Sequence, residues 1–341
     1  MKVAYLVPSI TNCGPINVVL NIINSNLPDV DFYVFSLKKL NNDYEEKFSK
    51  ILNGNLFFLD NSVSFVENLK ILLLTNSIDI IHSHGYYPDK ILSKLEANVK
   101  KISTIHCMFY KDYPKEYGIL KGFIGAFFHF FYLKNGNFDY IISCSNSVND
   151  YVSSKVKKGN FFCINNGVDQ RVFYPLSFYE RENRKNNLKL SQYQKVFIYS
   201  GRLIRRKRVP ELIEYFQENY DDSCVLLIIG DGPELQECKR KKRSKNIVFI
   251  GFVSNPEYYY QISDFILSFS SAEGYPMSII EAVSCGCYAI LSPIPPHIEF
   301  IKNTNLGMLI GSNENFKFNN NRDKLSSKNM ALNYLSLYEK E

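Results

Sequence analysis

The sequence has no tryptophan and no disulfide framework. Its eight cysteines, Cys13, Cys107, Cys144, Cys163, Cys224, Cys238, Cys285 and Cys287, are scattered along the chain. Cys285 and Cys287 are two apart, a spacing that fits neither a redox C-x-x-C pair nor a zinc knuckle. Reduced thiols, mostly buried, are the expectation. No stretch offers the roughly 18 uninterrupted apolar residues of a membrane-spanning helix. The apolar run that follows Met1 stops at Pro8, which reads as a first strand rather than a signal peptide and makes the cytoplasm the expected location. A large charge of one sign is missing too: 40 Lys and Arg against 34 Asp and Glu leave a net +6. Without a basic stripe interleaved with aromatics, that excess excludes nucleic acid as a partner. A wholly disordered chain is excluded by 45% hydrophobic and 22% charged residues.

What is present is length and alternation. The 341 residues suit two domains rather than one. Short apolar runs predict strands at Val3–Pro8, Asp31–Ser36, Asn55–Leu59, Ile78–Ser83, Lys101–His106, Tyr140–Ser145 and Asn160–Asn165. Helical stretches separate several of them, for example Val18–Asn26 and Val63–Thr75. Continuous apolar strands spaced by helices predict a parallel sheet covered on both faces. The pattern breaks at Arg171–Asn187, which reads as an interdomain linker. A second series predicts strands at Lys195–Ser200, Cys224–Gly230, Ile247–Ile250, Phe265–Ser268, Tyr288–Ser292 and Gly307–Ile310. Phe316–Lys324 reads as a polar loop and Leu325–Tyr338 as a last amphipathic helix. The expected division is 1–175, 176–322 and a C-terminal helix, 323–341, packing back on the first domain. Two tandem α/β domains predict a ligand cleft between them.

Four patterns in the second half carry chemistry. Gly201-Arg202-Leu203 with Lys207 follows a strand, and an Arg fork beside a Lys point charge suits a diphosphate. Gly230-Asp231-Gly232-Pro233 reads first as a plain tight turn from strand into helix and second as a phosphate loop. It is no dinucleotide fingerprint, because Leu235 replaces the third glycine. Gly251 ends a strand where backbone could approach a flat base. In Ser271–Ala282, Gly274 permits an unusual turn and Pro276 suits the first helical position. The N–H groups of Met277 and Ser278 would then face a phosphate, with Glu273 before the helix and Glu281 within it.

Taken in order, these segments resemble the C-terminal domain of family 4 glycosyltransferases, which are retaining, nucleotide-sugar-dependent enzymes of the GT-B fold. The resemblance rests on Gly201-Arg202-Leu203 with Lys207, Gly230–Pro233, Gly251 and the Glu273/Glu281 pair, followed by Ser284-Cys285-Gly286-Cys287 and Glu299. It implies two Rossmann-like doubly wound domains facing a central cleft. It also implies that Arg202 and Lys207 hold the donor diphosphate, Glu281 the ribose hydroxyls, Glu273 the transferred sugar, and the amides after Gly274 the diphosphate again. In the first half, Ser9–Asn17 resembles the family's glycine-rich loop over the donor phosphates, with Cys13-Gly14 in place of its glycine pair. His84 and His106, at successive strand ends, match histidines that line the cleft near sugar and acceptor; His82, His129 and His297 read as structural. Ile164–Pro175 matches the domain-crossing signature.

The function implied is a hexosyltransferase of bacterial lipopolysaccharide, O-antigen or capsule assembly. It would move a sugar from a UDP-sugar, in preference to a GDP-sugar, to a polyprenyl-diphosphate-linked saccharide, with no metal and no cofactor. Front-face substitution and double displacement through Glu273 both stay open. A nucleotide-sugar 2-epimerase or a non-catalytic binding subunit of the same architecture are the alternatives. The aromatic segment Phe123–Leu133, flanked by Lys111, Lys115, Lys121 and Lys134, reads either as a lipid or inner-membrane contact or as a buried helix. Lys239–Lys245 reads as a solvated basic face or a headgroup contact.

Overall fold

A computed structural model of the chain describes residues 1–59, 64–312 and 322–340. Most of the stretch 316–324, and Val63 at the start of one expected helix, lie outside the described residues. The chain divides into two compact units, Met1–Gly167 with Ser327–Glu341, and Val168–Ser326.

The first unit carries strands β1 (Lys2–Val7), β2 (Asp31–Ser36), β3 (Leu56–Phe58), β4 (Ile80–His84), β5 (Lys100–Ile105), β6 (Tyr140–Ser143) and β7 (Asn160–Cys163). They form one parallel sheet in the order β3-β2-β1-β4-β5-β6-β7. Val3, Ala4, Tyr5 and Leu6 are fully buried, because β1 sits in mid-sheet with helices on both faces. The helix Ser327–Tyr338 belongs to this unit and is fastened by its tyrosines. The Tyr338 hydroxyl lies 2.9 Å from that of Tyr5 and 2.8 Å from His82 Nδ1, while His82 Nε2 meets Thr104 Oγ1 at 2.7 Å. Burial holds the His82 imidazole neutral, with a pKa down at about 3, so these are neutral, fully shielded hydrogen bonds.

The second unit holds β8 (Lys195–Ser200), β9 (Cys224–Ile229), β10 (Ile247–Gly251), β11 (Phe265–Ser268), β12 (Tyr288–Leu291) and β13 (Gly307–Leu309). Their order is β10-β9-β8-β11-β12-β13, again all parallel. Phe197, Leu212, Ile213, Phe216, Leu226 and Ile228 pack into its core under the helix Val209–Asn219. Two doubly wound parallel sheets with covering helices are the GT-B architecture. Every strand read from the sequence is present, with ends displaced by no more than a few residues.

Two readings change. The polar stretch Arg171–Asn187, which reads as a linker, contains a helix, Phe178–Asn187, started by a capping box in which Ser177 and Glu180 satisfy each other's backbone N–H. It lacks an apolar stripe because it is held by charge: Arg181 reaches Asp264 at 2.9 Å, and the Arg184 guanidinium lies 4.3 Å from the Tyr258 ring centre. The unit boundary also falls at Gly167/Val168 rather than at residue 175. Residues 168–175 are tied into the second unit by Val168 N–H donating to the Leu325 carbonyl, by Gln261 Nε2 donating to the Tyr174 carbonyl, and by Phe173 against Tyr260.

Candidate functional site

In each sheet the winding reverses once, between β1 and β4 in the first and between β8 and β11 in the second. Connections on the two sides of such a point leave in opposite directions and open a crevice at the strands' carboxyl ends. The candidate residues gather there. After β8, Gly201 has φ +153° and the chain runs beside the turn after β9. Gly201 N–H donates to the Ile229 carbonyl, Leu203 N–H to that of Asp231, and Glu234 N–H to that of Leu203. A Cβ on Gly230 would lie 2.0 Å from the Gly201 carbonyl oxygen, and one on Gly232 2.4 Å from that of Leu203. Of the two readings of this glycine turn, close backbone packing is therefore the one visible: it braces the basic loop from behind.

That loop ends in a 3-10 turn, Arg205–Lys207, which swings two successive side chains toward the segment after β11. Lys207 Nζ donates to one oxygen of Glu273, and Arg206 Nη1 donates to the other at 3.0 Å and to the Ala272 carbonyl at 2.7 Å. Ser271 N–H donates back to the Arg206 carbonyl at 2.9 Å. Glu273 is buried; burial alone would raise its carboxyl, but Lys207 and Arg206 outweigh it and hold the pKa down at about 2. The sequence alone does not single out Arg206. The run Arg205-Arg206-Lys207 was visible, but which of three consecutive cations faces Glu273 depends on the tightness of the turn. Arg202 is exposed on the same loop, outside the Glu273 cluster, and its carbonyl accepts from the Tyr199 hydroxyl at 3.0 Å.

Past Glu273 the helix Met277–Ser284 begins. Pro276 is its N-cap, with ψ 117°, rather than its first helical residue, so Met277 and Ser278 head the helix with N–H groups that have no carbonyl one turn back. Gly274 is buried in a bend, and its φ is not positive. Glu281 lies on the same helix, and the Tyr260 hydroxyl donates to it at 3.3 Å. Burial raises the Glu281 pKa to about 7 despite that hydrogen bond, with Glu257 adding to the rise. The two glutamates thus stand in opposite states, one clamped as an anion and the other poised near neutrality. Gly251 ends β10 at φ +83° with open space around its Cα, and its carbonyl accepts from Gly230 N–H. His297, read as structural, is buried, with Nδ1 2.9 Å from the Ser292 carbonyl; burial lowers its pKa to about 4, and Glu273 lies near enough to oppose that shift. No sequence signal marked that proximity.

In the first unit, Gly14 starts the helix Gly14–Ile23 directly after the β1 loop, with Pro15 in its first turn. His84 ends β4, and its Nδ1 lies 2.9 Å from His106 Nε2, just past β5. Burial lowers both, His84 well below the usual imidazole range and His106 to about 4, so the pair shares one proton between neutral rings. His84 Nε2 is buried without a partner among the described residues. His129 is bound at both nitrogens, to Asp89 at 2.6 Å and Tyr113 at 2.7 Å, as a structural histidine should be. In the basic run Lys239–Lys245, Arg240 pairs with Glu237 and Lys241 with Glu214.

A family model described as Glycosyl transferases group 1 matches residues 180–340, and one described as Glycosyltransferase Family 4 matches 29–172. The O-antigen biosynthesis glycosyltransferase WclY of Escherichia coli is 28% identical over 320 residues, covering 88% of this chain and 82% of that one. The UDP-Gal:alpha-D-GlcNAc-diphosphoundecaprenol alpha-1,3-galactosyltransferase of Escherichia coli is 30% identical over 161 residues, covering 44% and 41%. Among solved structures, Alr3699/HepE of Anabaena in complex with UDP-glucose is similar with a TM-score of 0.74 at 15% identity, covering 99% of this chain and 90% of that one.

Proposed function

Because the chain belongs to glycosyltransferase family 4 and is a glycosyltransferase of the bacterial surface-polysaccharide type, we propose that it moves a sugar, with retention, from a UDP-sugar to a lipid-diphosphate-linked saccharide of O-antigen or capsule assembly. The observation that carries this reading is the Lys207–Glu273–Arg206 cluster beside the helix start at Met277, at the point where the sheet's winding reverses. A departing nucleoside diphosphate gathers negative charge, and Lys207, Arg206, Arg202 and the amides of Met277 and Ser278 are the groups to meet it. No metal or cofactor enters this scheme. Gly251 admits the base, and Glu281 accepts from the ribose hydroxyls. The first unit serves the acceptor through His84 and His106, on the cytoplasmic side. A carboxylate held at about 2 by two cations is a poor nucleophile, so Glu273 orients the sugar and its cations rather than attacking. Front-face substitution follows, with the leaving phosphate oxygen taking the acceptor proton. UDP-glucose in the HepE structure and the diphosphoundecaprenol substrate in the name of the galactosyltransferase support the donor and acceptor classes.

The test is incubation with a panel of UDP- and GDP-sugars and a lipid-diphosphate-sugar acceptor, read by mass spectrometry, with the product's anomeric configuration read by NMR. Transfer with retention is expected from a UDP-sugar. Conversion of the donor without acceptor would mark a 2-epimerase instead, and an inverted product would end the front-face scheme.

Glu281 gives a second expectation. It must be ionised to accept from the ribose, and its pKa is about 7. Affinity for a UDP-sugar, whose diphosphate does not titrate here, should rise about tenfold from pH about 6 to about 8. Calorimetry of wild type and Glu281→Gln checks this. The variant should bind weakly and without pH dependence, whereas a flat wild-type profile would remove Glu281 from the ribose site.

A further inference from the structure

The helix Ile119–Asn135 is apolar on both sides. Its smallest residues face the protein, together with His129, Phe130 and Leu133. A Cβ on Gly122 would lie 2.3 Å from the Pro114 backbone nitrogen, Gly125 sits over the Tyr113 ring, and Ala126 is fully buried. At 3.6 residues per turn, Leu120, Phe123, Ile124, Phe127, Phe128 and Phe131 fall on the opposite side. All six are exposed, Leu120 at 74% and Phe127 at 57% of their full surface. The usual amphipathic helix buries its large apolar side chains and shows its small and polar ones. Here the inward face is fixed firmly, so the outward one is no product of loose packing. His129 stacks on Phe109 with ring centres 3.8 Å apart and bonds Asp89 and Tyr113.

The border of this face is basic. Lys121 stands at one edge near the helix start and Lys134 at the far end, with Lys111 and Lys115 on the preceding helix, Phe109–Tyr117; all four are exposed. The acidic groups of the two helices are Glu116, exposed, and Asp112, which is buried and accepts from Met108 N–H. Tyr87, 60% exposed on the neighbouring helix Tyr86–Leu92, joins the patch through Tyr86 and Tyr132. Phenylalanines at the centre, tyrosines at the margin and lysines around them match a surface whose interior is hydrocarbon, whose boundary is amphipathic and whose headgroups are anionic. A face of this extent on a water-exposed helix needs a cover. No helix among the described residues is long and apolar enough to cross a membrane.

We propose that the helix Ile119–Asn135 docks the protein onto an anionic lipid bilayer, with its phenylalanine face sunk to the headgroup–acyl boundary and its lysines on the phosphates. The proposal deepens the lipid-linked acceptor reading and rests on it only for why a bilayer would be useful; the geometry stands without it.

The experiment is sedimentation of the full chain with vesicles of equal parts phosphatidylglycerol and phosphatidylethanolamine, and with vesicles of phosphatidylcholine alone. Wild type should pellet with the anionic vesicles, less so at high salt, and weakly with phosphatidylcholine. Phe127→Asp/Phe131→Asp should lower the vesicle-bound fraction about tenfold or more, with its melting curve and UDP-sugar binding unchanged. Lys121→Glu/Lys134→Glu should weaken binding to the anionic vesicles alone. Wild type left in the supernatant, equal binding by the phenylalanine variant, or self-association through this face that vesicles do not compete away would each overturn the proposal. Transfer to a water-soluble acceptor analogue is measured in parallel. It should survive in the phenylalanine variant, so a failed docking surface and a failed enzymatic reading give different results.

Discussion

Lys207→Ala should lower kcat by about a hundred- to a thousandfold while changing KM for the donor much less. Lys207 supplies a compact point charge to a diphosphate that becomes more negative as the sugar bond breaks, so its contribution grows toward the transition state. The ammonium spends one donor on Glu273 and keeps two for a ligand. Arg206→Ala should cost less turnover than Lys207→Ala, because its Nη1 is already committed to Glu273 and the Ala272 carbonyl. Steady-state kinetics on the donor–acceptor pair found by mass spectrometry measures both. Near-wild-type turnover in Lys207→Ala would remove it from the diphosphate site.

The second large effect is on stability. Glu273 is the counter-charge for two cations whose side chains are only 15% and 18% exposed. Removing it in Glu273→Ala leaves Lys207 and Arg206 facing each other, largely desolvated, at a cost of about 2–3 kcal/mol, at the lower end of the buried-pair range because the cations keep some water. Urea denaturation measures it, and Glu273→Gln separates charge from shape. The sign of the pH dependence follows from the lowered pKa. Glu273 is at about 2 in the fold against an ordinary 4.5, so its stabilisation is complete above about 4.5 and is lost as pH falls through about 2. The gap in unfolding free energy between wild type and Glu273→Gln should therefore hold steady down to about 4.5 and then close. A gap that stayed constant across that acid range would mean the carboxylate is not clamped by its cations.

Much of this was legible in advance, for identifiable reasons. A parallel strand buried on both faces must be a continuous apolar run, so β1, β9 and β12 announced themselves. Helices that pack on the sheet carry an apolar stripe, which is how the ones named from the sequence were found. The helix Phe178–Asn187 was not, because ion pairs and an aromatic–guanidinium contact hold it and leave no hydrophobic period. Its Ser177/Glu180 capping box was the one local signal that could have revealed it. The outward phenylalanines of Ile119–Asn135 could not be told from inward ones by composition, since both sides of that helix are apolar; only the glycines pressed on Pro114 and Tyr113 reveal the orientation.

At the site the division is finer. Residue type and order placed Lys207, Glu273 and Glu281 in the chemistry, since a diphosphate and a sugar call for cations and carboxylates near strand ends. Their states were beyond the sequence. Glu273 is a firm anion because a 3-10 turn brings Arg206 and Lys207 onto it together, and Glu281 is near neutrality because its helix buries it with a tyrosine hydroxyl as its hydrogen-bond partner.

The sequence's absences hold a similar line. Lacking a disulfide framework, a spanning segment and a large net charge, the chain by itself determined two parallel α/β units without covalent staples, because apolar periodicity alone specifies strands, crossover helices and their succession. Which charges meet, which glutamate stays ionised and which side of an all-apolar helix faces water were decided only by tertiary structure. Electrostatics and burial depend on distances between residues far apart in the chain, and local pattern carries no information about those.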